Sequence, residues 1–133
     1  MSAHLQILQP PGWARAKGFS NGIAASGRLV FIAGQIGWTG QGEWKEQSFA
    51  GQFRQALQNI ISVLSEAKGK PEHIVRLTWY VLDRQEYLNS LKAVGEAYRE
   101  LMGKHYPTMA VVQVSGLVEP EARLEIEATA VVP

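Results

Sequence analysis

Two glutamates near the end of the chain, Glu125 and Glu127, are of the residue type that acid–base chemistry needs, and of the two we interpret Glu127 as a surface or interface charge. They lie in the run 124–132, where apolar residues alternate with mostly polar ones. This period of two predicts a strand with one face on a core and both carboxylates on the other face. A carboxylate at the edge of a core can orient a water molecule and accept its proton. On this pattern alone, a solvated glutamate on a strand is the simpler interpretation.

Other kinds of site find little support in the sequence. The chain has no cysteine, which excludes a thiol nucleophile, a thiolate metal site and disulfides. The histidines, His4, His73 and His105, are scattered and lack the paired spacing of metal ligands. Ser20 and Ser26 have no nearby His–Asp arrangement. We therefore expect no metal, no hydrolase triad and no phosphate-binding loop.

Composition indicates a single globular domain, residues 1–133, in which 1–17 form an N-terminal connecting segment. Hydrophobic residues make up 46% and charged residues 19%, and the net charge is +1. Neither sign of charge dominates, and no basic stripe is interleaved with aromatic residues, so we expect no nucleic-acid partner. No apolar run approaches the length of a membrane span, which makes a cytoplasmic protein the default expectation.

Hydrophobic periodicity and turn residues predict the elements that must position Glu125. A helix over 48–68 has Phe49, Phe53, Leu57 and Leu64 on one face, with Ser48 as its N-cap. A second helix is predicted from Asp83 to about Met102, ending at Gly103. The predicted strands are a hairpin over 23–25 and 29–33, a buried strand over 74–82, and strands over 108–114 and 124–132. His4 to Leu8 could add a short edge strand.

The predicted order, β-β-α-β-α-β-β, favours an α+β fold. Its mixed sheet would carry both helices on one face. The continuously apolar run 29–33 predicts a central strand that is covered on both sides. The sheet face without helices would need a partner, and oligomerisation is the usual solution.

The chain resembles the RidA/YjgF family of reactive-intermediate deaminases, also called the endoribonuclease L-PSP family. The resemblance runs from about residue 18 to residue 132, and the order and spacing of its motifs are more specific than any one of them. It rests on GFSNG at 18–22, LVFIAGQI at 29–36, ALQNI at 56–60, IVRLTWYVLD at 74–83, the aromatic Tyr87, and LEIEA at 124–128.

This resemblance implies a chorismate-mutase-like (bacillus-type) α+β fold and a homotrimer with clefts between subunits. It also implies hydrolysis of enamines or imines to ketoacids and ammonia, without a cofactor. Glu125 matches the family's catalytic glutamate. Four further positions match residues that line the cleft: the aromatic lid Phe19, Gly34 and Val111 through their backbones, and Tyr87.

The sequence departs from the family at one position of the cleft. Active members carry an arginine two residues after the proline, where it grips the substrate carboxylate, and this chain has Met109 there. A thioether cannot supply a planar two-point grip. We therefore expect a substrate other than the standard carboxylate-gripped 2-iminoacid, unless another arginine, such as Arg76 or Arg123, takes over. Gly95 stands near a position where many members have asparagine.

Three interpretations follow from this departure. The first is a trimeric hydrolase that acts on a small imine or enamine. The second is a non-catalytic trimer that binds a small molecule in the same cleft. A third is a trimer with a purely structural role.

Overall fold

A computed structural model describes residues 4–133 of the chain. Six strands, three α-helices and one short 3₁₀ turn at Pro71–His73 make up these residues. The strands are β1 (Leu5–Leu8), β2 (Gly22–Ala25), β3 (Arg28–Gln35), β4 (Ile74–Val81), β5 (Thr108–Gln113) and β6 (Leu124–Val132). The helices are α1 (Phe49–Glu66), α2 (Arg84–Asn89) and α3 (Leu91–Met102).

The main sheet has the strand order β3-β6-β4-β5, so the last strand of the chain is central. β6 pairs antiparallel with both neighbours, and β4 pairs parallel with β5. The predicted alternation of β6 is confirmed. Its buried set includes Leu124, Ile126, Ala128, Ala130 and Val132, and Glu125 and Glu127 are more exposed; the alternation ends at Val131, which is also buried. This α+β arrangement, with the helices against one face of a mixed sheet, is the predicted fold.

Helix α1 supplies most of the layer that covers the sheet. Ser48 caps it as predicted, because its side chain accepts a hydrogen bond of 3.0 Å from the Gly51 backbone N–H. The apolar positions of one face, Phe53, Leu57 and Leu64, are fully buried. Packing of this stripe, more than helix propensity, stabilises a helix of this length.

The same helix face carries one buried polar side chain, Gln52, which is 1% exposed. Its amide nitrogen donates to the backbone oxygens of Glu121, at 3.0 Å, and Glu46, at 3.3 Å. Its amide oxygen accepts from the Arg123 backbone N–H at 2.8 Å. Gln52 therefore ties α1 to the loop that leads into β6 and so helps to place Glu125.

The predicted hairpin between residues 23–25 and 29–33 is wrong. β2 pairs with β1, which confirms the short edge strand, and β3 pairs with β6 in the other sheet. Between them the chain passes Val132 closely: a Cβ at Gly27 would lie 3.0 Å from the Val132 carbonyl carbon. β6 is longer than β2 and so can form more backbone hydrogen bonds with β3. The pairing is therefore not decided by the local turn.

The prediction that β3 is central and covered on both faces is also wrong. β3 is an edge of the four-stranded sheet, and its side chains Leu29 and Phe31 are 63% and 75% exposed. They stand opposite Val131 and Thr129 on the face that carries no helix. A continuous apolar run therefore predicts a strand with two apolar faces. It does not predict whether the second face is covered within the same chain.

The predicted second helix is broken into two. α2 ends at Asn89 and α3 begins at Leu91, with Ser90 between them at φ −105° and ψ 6°. The Ser90 hydroxyl donates to the Glu86 carbonyl at 2.8 Å, which satisfies that carbonyl in place of a helical N–H. The predicted ends are confirmed: Asp83 caps α2, and Gly103, at φ 65°, terminates α3.

Candidate active site

Glu125 lies on β6 with its carboxylate packed against the backbone of β3. The register between β3 and β6 shifts by one residue between Ile32 and Gln35, and Gly34 lies inside this irregular segment. A Cβ at Gly34 would lie 2.8 Å from the carboxyl carbon of Glu125 and closer still to Oε2. Position 34 therefore has room for Glu125 because it lacks a side chain. Such a bulge takes backbone groups out of the regular ladder and is common beside active sites.

Tyr80 stands opposite Glu125 in the neighbouring strand β4 but binds the other glutamate. Its hydroxyl donates a hydrogen bond of 2.6 Å to Glu127 Oε1. This bond, together with the negative charges of Glu127 and Glu125, raises the pKa of the Tyr80 hydroxyl above its ordinary value. Tyr80 is thus a neutral donor that occupies Glu127 and leaves Glu125 as the free carboxylate of the pair.

A cavity of about 550 Å³ lies on the other side of the sheet, between the helices and the edge strand β5. Four predicted site residues line it: Phe19, Tyr87, Met109 and Val111. Met109 and Val111 reach it from β5, where they pair with Leu77 and Trp79 of β4. The cavity wall also includes Gly95 of α3.

Aromatic rings form much of this cavity wall. Trp79 and Tyr87 meet edge to face with 6.0 Å between ring centroids, and Tyr98 and Tyr106 stack at 5.5 Å. Burial raises the pKa of the Tyr87 hydroxyl. The Tyr98 hydroxyl is occupied, since it donates to the His105 carbonyl at 2.6 Å. These rings provide a rigid apolar surface for a flat or apolar ligand.

One buried polar atom of a residue beside the cavity lacks a partner within the described part of the chain. Trp79 is 3% exposed, as expected of a core residue, and its indole Nε1 is buried with no hydrogen-bond acceptor among the described residues. An indole N–H can only donate, and a buried donor without an acceptor costs free energy. The unsatisfied group lies in a residue that lines the cavity.

Phe19 is held over the cavity by its neighbours in the chain. The Ser20 hydroxyl donates to the Tyr106 carbonyl at 2.5 Å, and the Ser20 N–H donates to the Pro107 carbonyl at 3.1 Å. Gly18 adopts φ +79°, a conformation that favours glycine, and so turns the chain into position. These bonds anchor the Phe19 segment to the start of β5.

The cations of this cavity are ones that the sequence did not single out. Lys17 and Arg99 line it, while the two arginines considered as replacements do not. Arg123 binds Glu86 Oε1 and the Gln47 carbonyl, each at 2.6 Å. Arg76 lies on the opposite sheet face beside Thr108 and Thr129. The only sequence signal for Arg99 was its position one helical turn after Gly95.

Within one chain, the predicted site residues form two separate groups. Glu125 and Gly34 contact one another at the helix-free side of the sheet, whereas the remaining four line the aromatic cavity. Glu125 is not among the residues that line this cavity. A single copy therefore does not bring the carboxylate and the cavity together.

The described residues, 4–133, offer neither a cluster of metal ligands nor a helix that could span a membrane. No group of three or more His, Asp or Glu residues in that range could hold a metal ion. The rings of His4 and His73 do approach one another, with 5.7 Å between centroids. None of the described helices is both long and apolar enough to cross a bilayer.

Comparison with solved structures defines the class of protein. The chain superposes on YyfB of Yersinia pestis, a Rid-family protein of unknown function, with a TM-score of 0.86 and 30% identity. This match covers 97% of the chain and 99% of the solved one. It also superposes on the YjgF gene product of Escherichia coli, with a TM-score of 0.68 and 31% identity over 80% and 83% of the two chains.

Sequence comparison narrows the class to one family. The Endoribonuclease L-PSP family profile matches residues 12–132. A 2-iminobutanoate/2-iminopropanoate deaminase of Salmonella typhimurium is 30% identical over 108 residues, which cover 79% of this chain and 80% of that protein. The chain belongs to the Endoribonuclease L-PSP family, which is the RidA/YjgF family.

Proposed function

We propose that this chain forms a homotrimer that hydrolyses a small imine or enamine in a cleft between subunits. Glu125 acts as the general base and no cofactor takes part. The observation that carries the proposal is the packing of the Glu125 carboxylate into the space left by Gly34. The relative from Salmonella typhimurium, whose name describes an imine deaminase, supports the reaction class.

The reaction needs a base and a pocket, and the chain supplies both. Glu125 removes a proton from water as the water oxygen attacks the carbon of the protonated imine, which gives a carbinolamine. Glu125 returns this proton to the carbinolamine nitrogen and then takes the hydroxyl proton as the carbon–nitrogen bond breaks, so that ammonia leaves and a carbonyl group remains. Acid and base are thus one residue. The aromatic cavity would hold the organic part of the substrate.

Assembly explains why the two groups of site residues are separate in one chain. The helix-free sheet face presents Phe31 and Leu29, which are large, apolar and exposed, and these are features of an interface. A neighbouring copy packed against this face would bring its own cavity toward Glu125 and Gly34. The proposed cleft thus combines Glu125 and Gly34 of one subunit with the aromatic cavity of the next.

Met109 restricts the substrate. A 2-iminoacid held by an arginine at this position would lose that grip here. The proposed substrate is therefore an imine or enamine whose recognition does not depend on position 109.

The test is to replace Glu125 by glutamine and to measure turnover of a panel of imines generated in solution. The glutamine side chain keeps the shape and one oxygen acceptor but cannot accept a proton. A positioned base raises the reaction rate on the order of 10²–10⁴-fold, so the turnover of Glu125→Gln should fall by a factor of that size. Glu127→Gln, two residues along the same strand face, is the matched control and should retain activity. Unchanged turnover in Glu125→Gln would remove Glu125 from the mechanism.

The second candidate is a non-catalytic trimer that binds a small molecule in the same cleft. It is favoured by the cavity lining, which contains no Asp, Glu or His and so offers neither a carboxylate nor an imidazole as a base. Saturable ligand binding without turnover by the wild type, across the whole panel, would select this candidate. A stable trimer that neither binds nor turns over small molecules would instead point to a purely structural role.

A further inference from the structure

The charge of the aromatic cavity points to the kind of ligand that it takes. Two cations, Lys17 and Arg99, line it, and no Asp or Glu does. Neither cation forms an ion pair or a side-chain hydrogen bond with the described part of the chain. Unbalanced positive charge beside a low-dielectric wall attracts an anion.

The Arg99 guanidinium lies over a residue that has no side chain, Gly95. Arg99 follows Gly95 by four residues, so the two lie on the same face of α3. A Cβ at Gly95 would be 3.4 Å from Arg99 Nη1, which puts the guanidinium directly over the glycine. The Arg99 side chain therefore runs back along the helix beside the cavity, into space that a longer side chain at position 95 would occupy.

The cavity wall suits an apolar ligand body with one polar end. Tyr98 and Tyr106 stack next to Arg99, and Trp79 meets Tyr87 edge to face. Neutral walls and a guanidinium together fit an organic acid with an aromatic or long apolar side chain.

We propose that Arg99 is the carboxylate-binding residue of this cavity and that its ligands are organic acids with an aromatic or long apolar body. The anion anchor is thus at position 99, on helix α3, and Met109 is part of the apolar wall. This inference deepens the proposed function, on which it rests for the statement that the physiological ligand is an imine. It narrows that substrate to the imines of bulky apolar amino acids.

Equilibrium binding of a stable acid tests the inference without any need for turnover. The probe is 3-phenylpropionate, and the comparison ligands are 3-phenylpropanamide, which has the body without the charge, and acetate, which has the charge without the body. Titration calorimetry on the full-length assembled protein should show the probe binding at least about tenfold more tightly than either one, as expected for hydrogen bonds to a charged group.

The variant Arg99→Gln should weaken binding of 3-phenylpropionate by at least about tenfold and leave binding of the amide unchanged. Arg99→Lys should restore only part of the loss, because an ammonium lacks the two-point grip. Lys92→Gln is the matched control, since Lys92 is an exposed cation of the same helix that does not line the cavity. It should bind the probe as the wild type does.

Three results would overturn the inference: no saturable binding of 3-phenylpropionate, equal binding of the amide, or equal losses in Arg99→Gln and Lys92→Gln. The outcome for the proposed function is separate. If the probe binds through Arg99 but no imine in the panel is hydrolysed, the proposed reaction falls and Arg99 keeps its role. If imines are hydrolysed equally well by Arg99→Gln, the reaction stands and Arg99 does not select the substrate.

Discussion

The Glu125 carboxylate occupies the place where a side chain at position 34 would begin. A Cβ at Gly34 would lie 2.8 Å from Glu125 Cδ and 3.0 Å from Cγ, well inside normal contact distances. Gly34 does not adopt a positive φ, so its backbone conformation is open to other residues. Glycine at position 34 is therefore needed for this placement of the Glu125 carboxylate, and not for the backbone conformation.

We predict that Gly34→Ala displaces the Glu125 carboxylate and lowers imine turnover by about 100-fold, as expected when a catalytic group moves by about 1 Å. The free energy of unfolding should change by less than about 1 kcal/mol, because the flexible glutamate side chain can rotate away. Gly40→Ala is the control, since a Cβ there meets nothing within 4 Å. Wild-type turnover in Gly34→Ala would show that the position of Glu125 is unimportant.

We predict that Met109→Arg raises kcat/KM for 2-iminopropionate by about tenfold or more. A guanidinium at this cavity position would provide charge-assisted hydrogen bonds to the small substrate carboxylate. Met109→Leu changes shape with no added charge and should leave the value unchanged. Steady-state assays with semicarbazide competition would measure both. Efficient hydrolysis of 2-iminopropionate by the wild type would contradict the prediction.

We predict that the wild type has the mass of three chains by light scattering and that Phe31→Glu yields smaller species. The introduced carboxylate would be buried without a partner if Phe31 lies in the interface, which strongly destabilises association. Val118→Glu provides a control, because Val118 is 94% exposed and lies in the loop before β6. A wild type that is monomeric at micromolar concentration would remove the composite cleft.

We predict that the free energy of unfolding decreases as the pH falls below about 6.5, the ordinary pKa of histidine. Burial lowers the pKa of His73, and its Nδ1 accepts a hydrogen bond of 2.9 Å from the Lys70 N–H, which requires the neutral ring. The native state thus binds fewer protons than the unfolded state in this range, so its stability is full above the ordinary pKa and is lost on acidification.

His73→Gln should remove this part of the pH dependence, because glutamine can accept the same hydrogen bond and does not titrate. Urea unfolding between pH 8 and pH 5 would compare the two proteins. If the free energy of unfolding changed with pH in the same way for the wild type and the variant, the pH dependence would come from other groups.

We predict that Gln52→Leu lowers the free energy of unfolding by about 1–3 kcal/mol. The Arg123 N–H, which now donates to Gln52 Oε1, would be left without this acceptor. Gln58→Leu, at an exposed position of the same helix, should change stability by less than about 0.5 kcal/mol. Chemical unfolding measures both values, and similar effects of the two substitutions would mean that the buried amide contributes little.

The parts of the fold that follow from local patterns were predictable from the sequence. The apolar stripe of α1 and its cap at Ser48 repeat at helical spacing, and the alternation of β6 places Glu125 opposite the core side. The order of the elements predicted the mixed sheet with helices on one face, and the resemblance to a family supplied the type of fold. These predictions needed only neighbours in the chain or a family pattern.

Strand partners and the cation of the cavity could not be predicted in this way. The turn at Gly27 looks the same whether β3 folds back on β2 or crosses to β6, because pairing depends on residues about a hundred positions away. Arg99 is an exposed residue of α3, and the sequence does not show that it lies beside a cavity shared with β5. The spacing of four residues between Gly95 and Arg99 indicates a binding role only when the cavity beside them is known.

The central place of β6 has a consequence for the order of folding. β3 and β4 have no contact with each other in the sheet except through β6, and Arg28 pairs with Val132. During synthesis β3 must therefore wait for its only partner in the sheet, with Ile32 not yet buried, until the final strand leaves the ribosome. Long-range pairing of this kind slows folding and leaves the nascent chain open to aggregation.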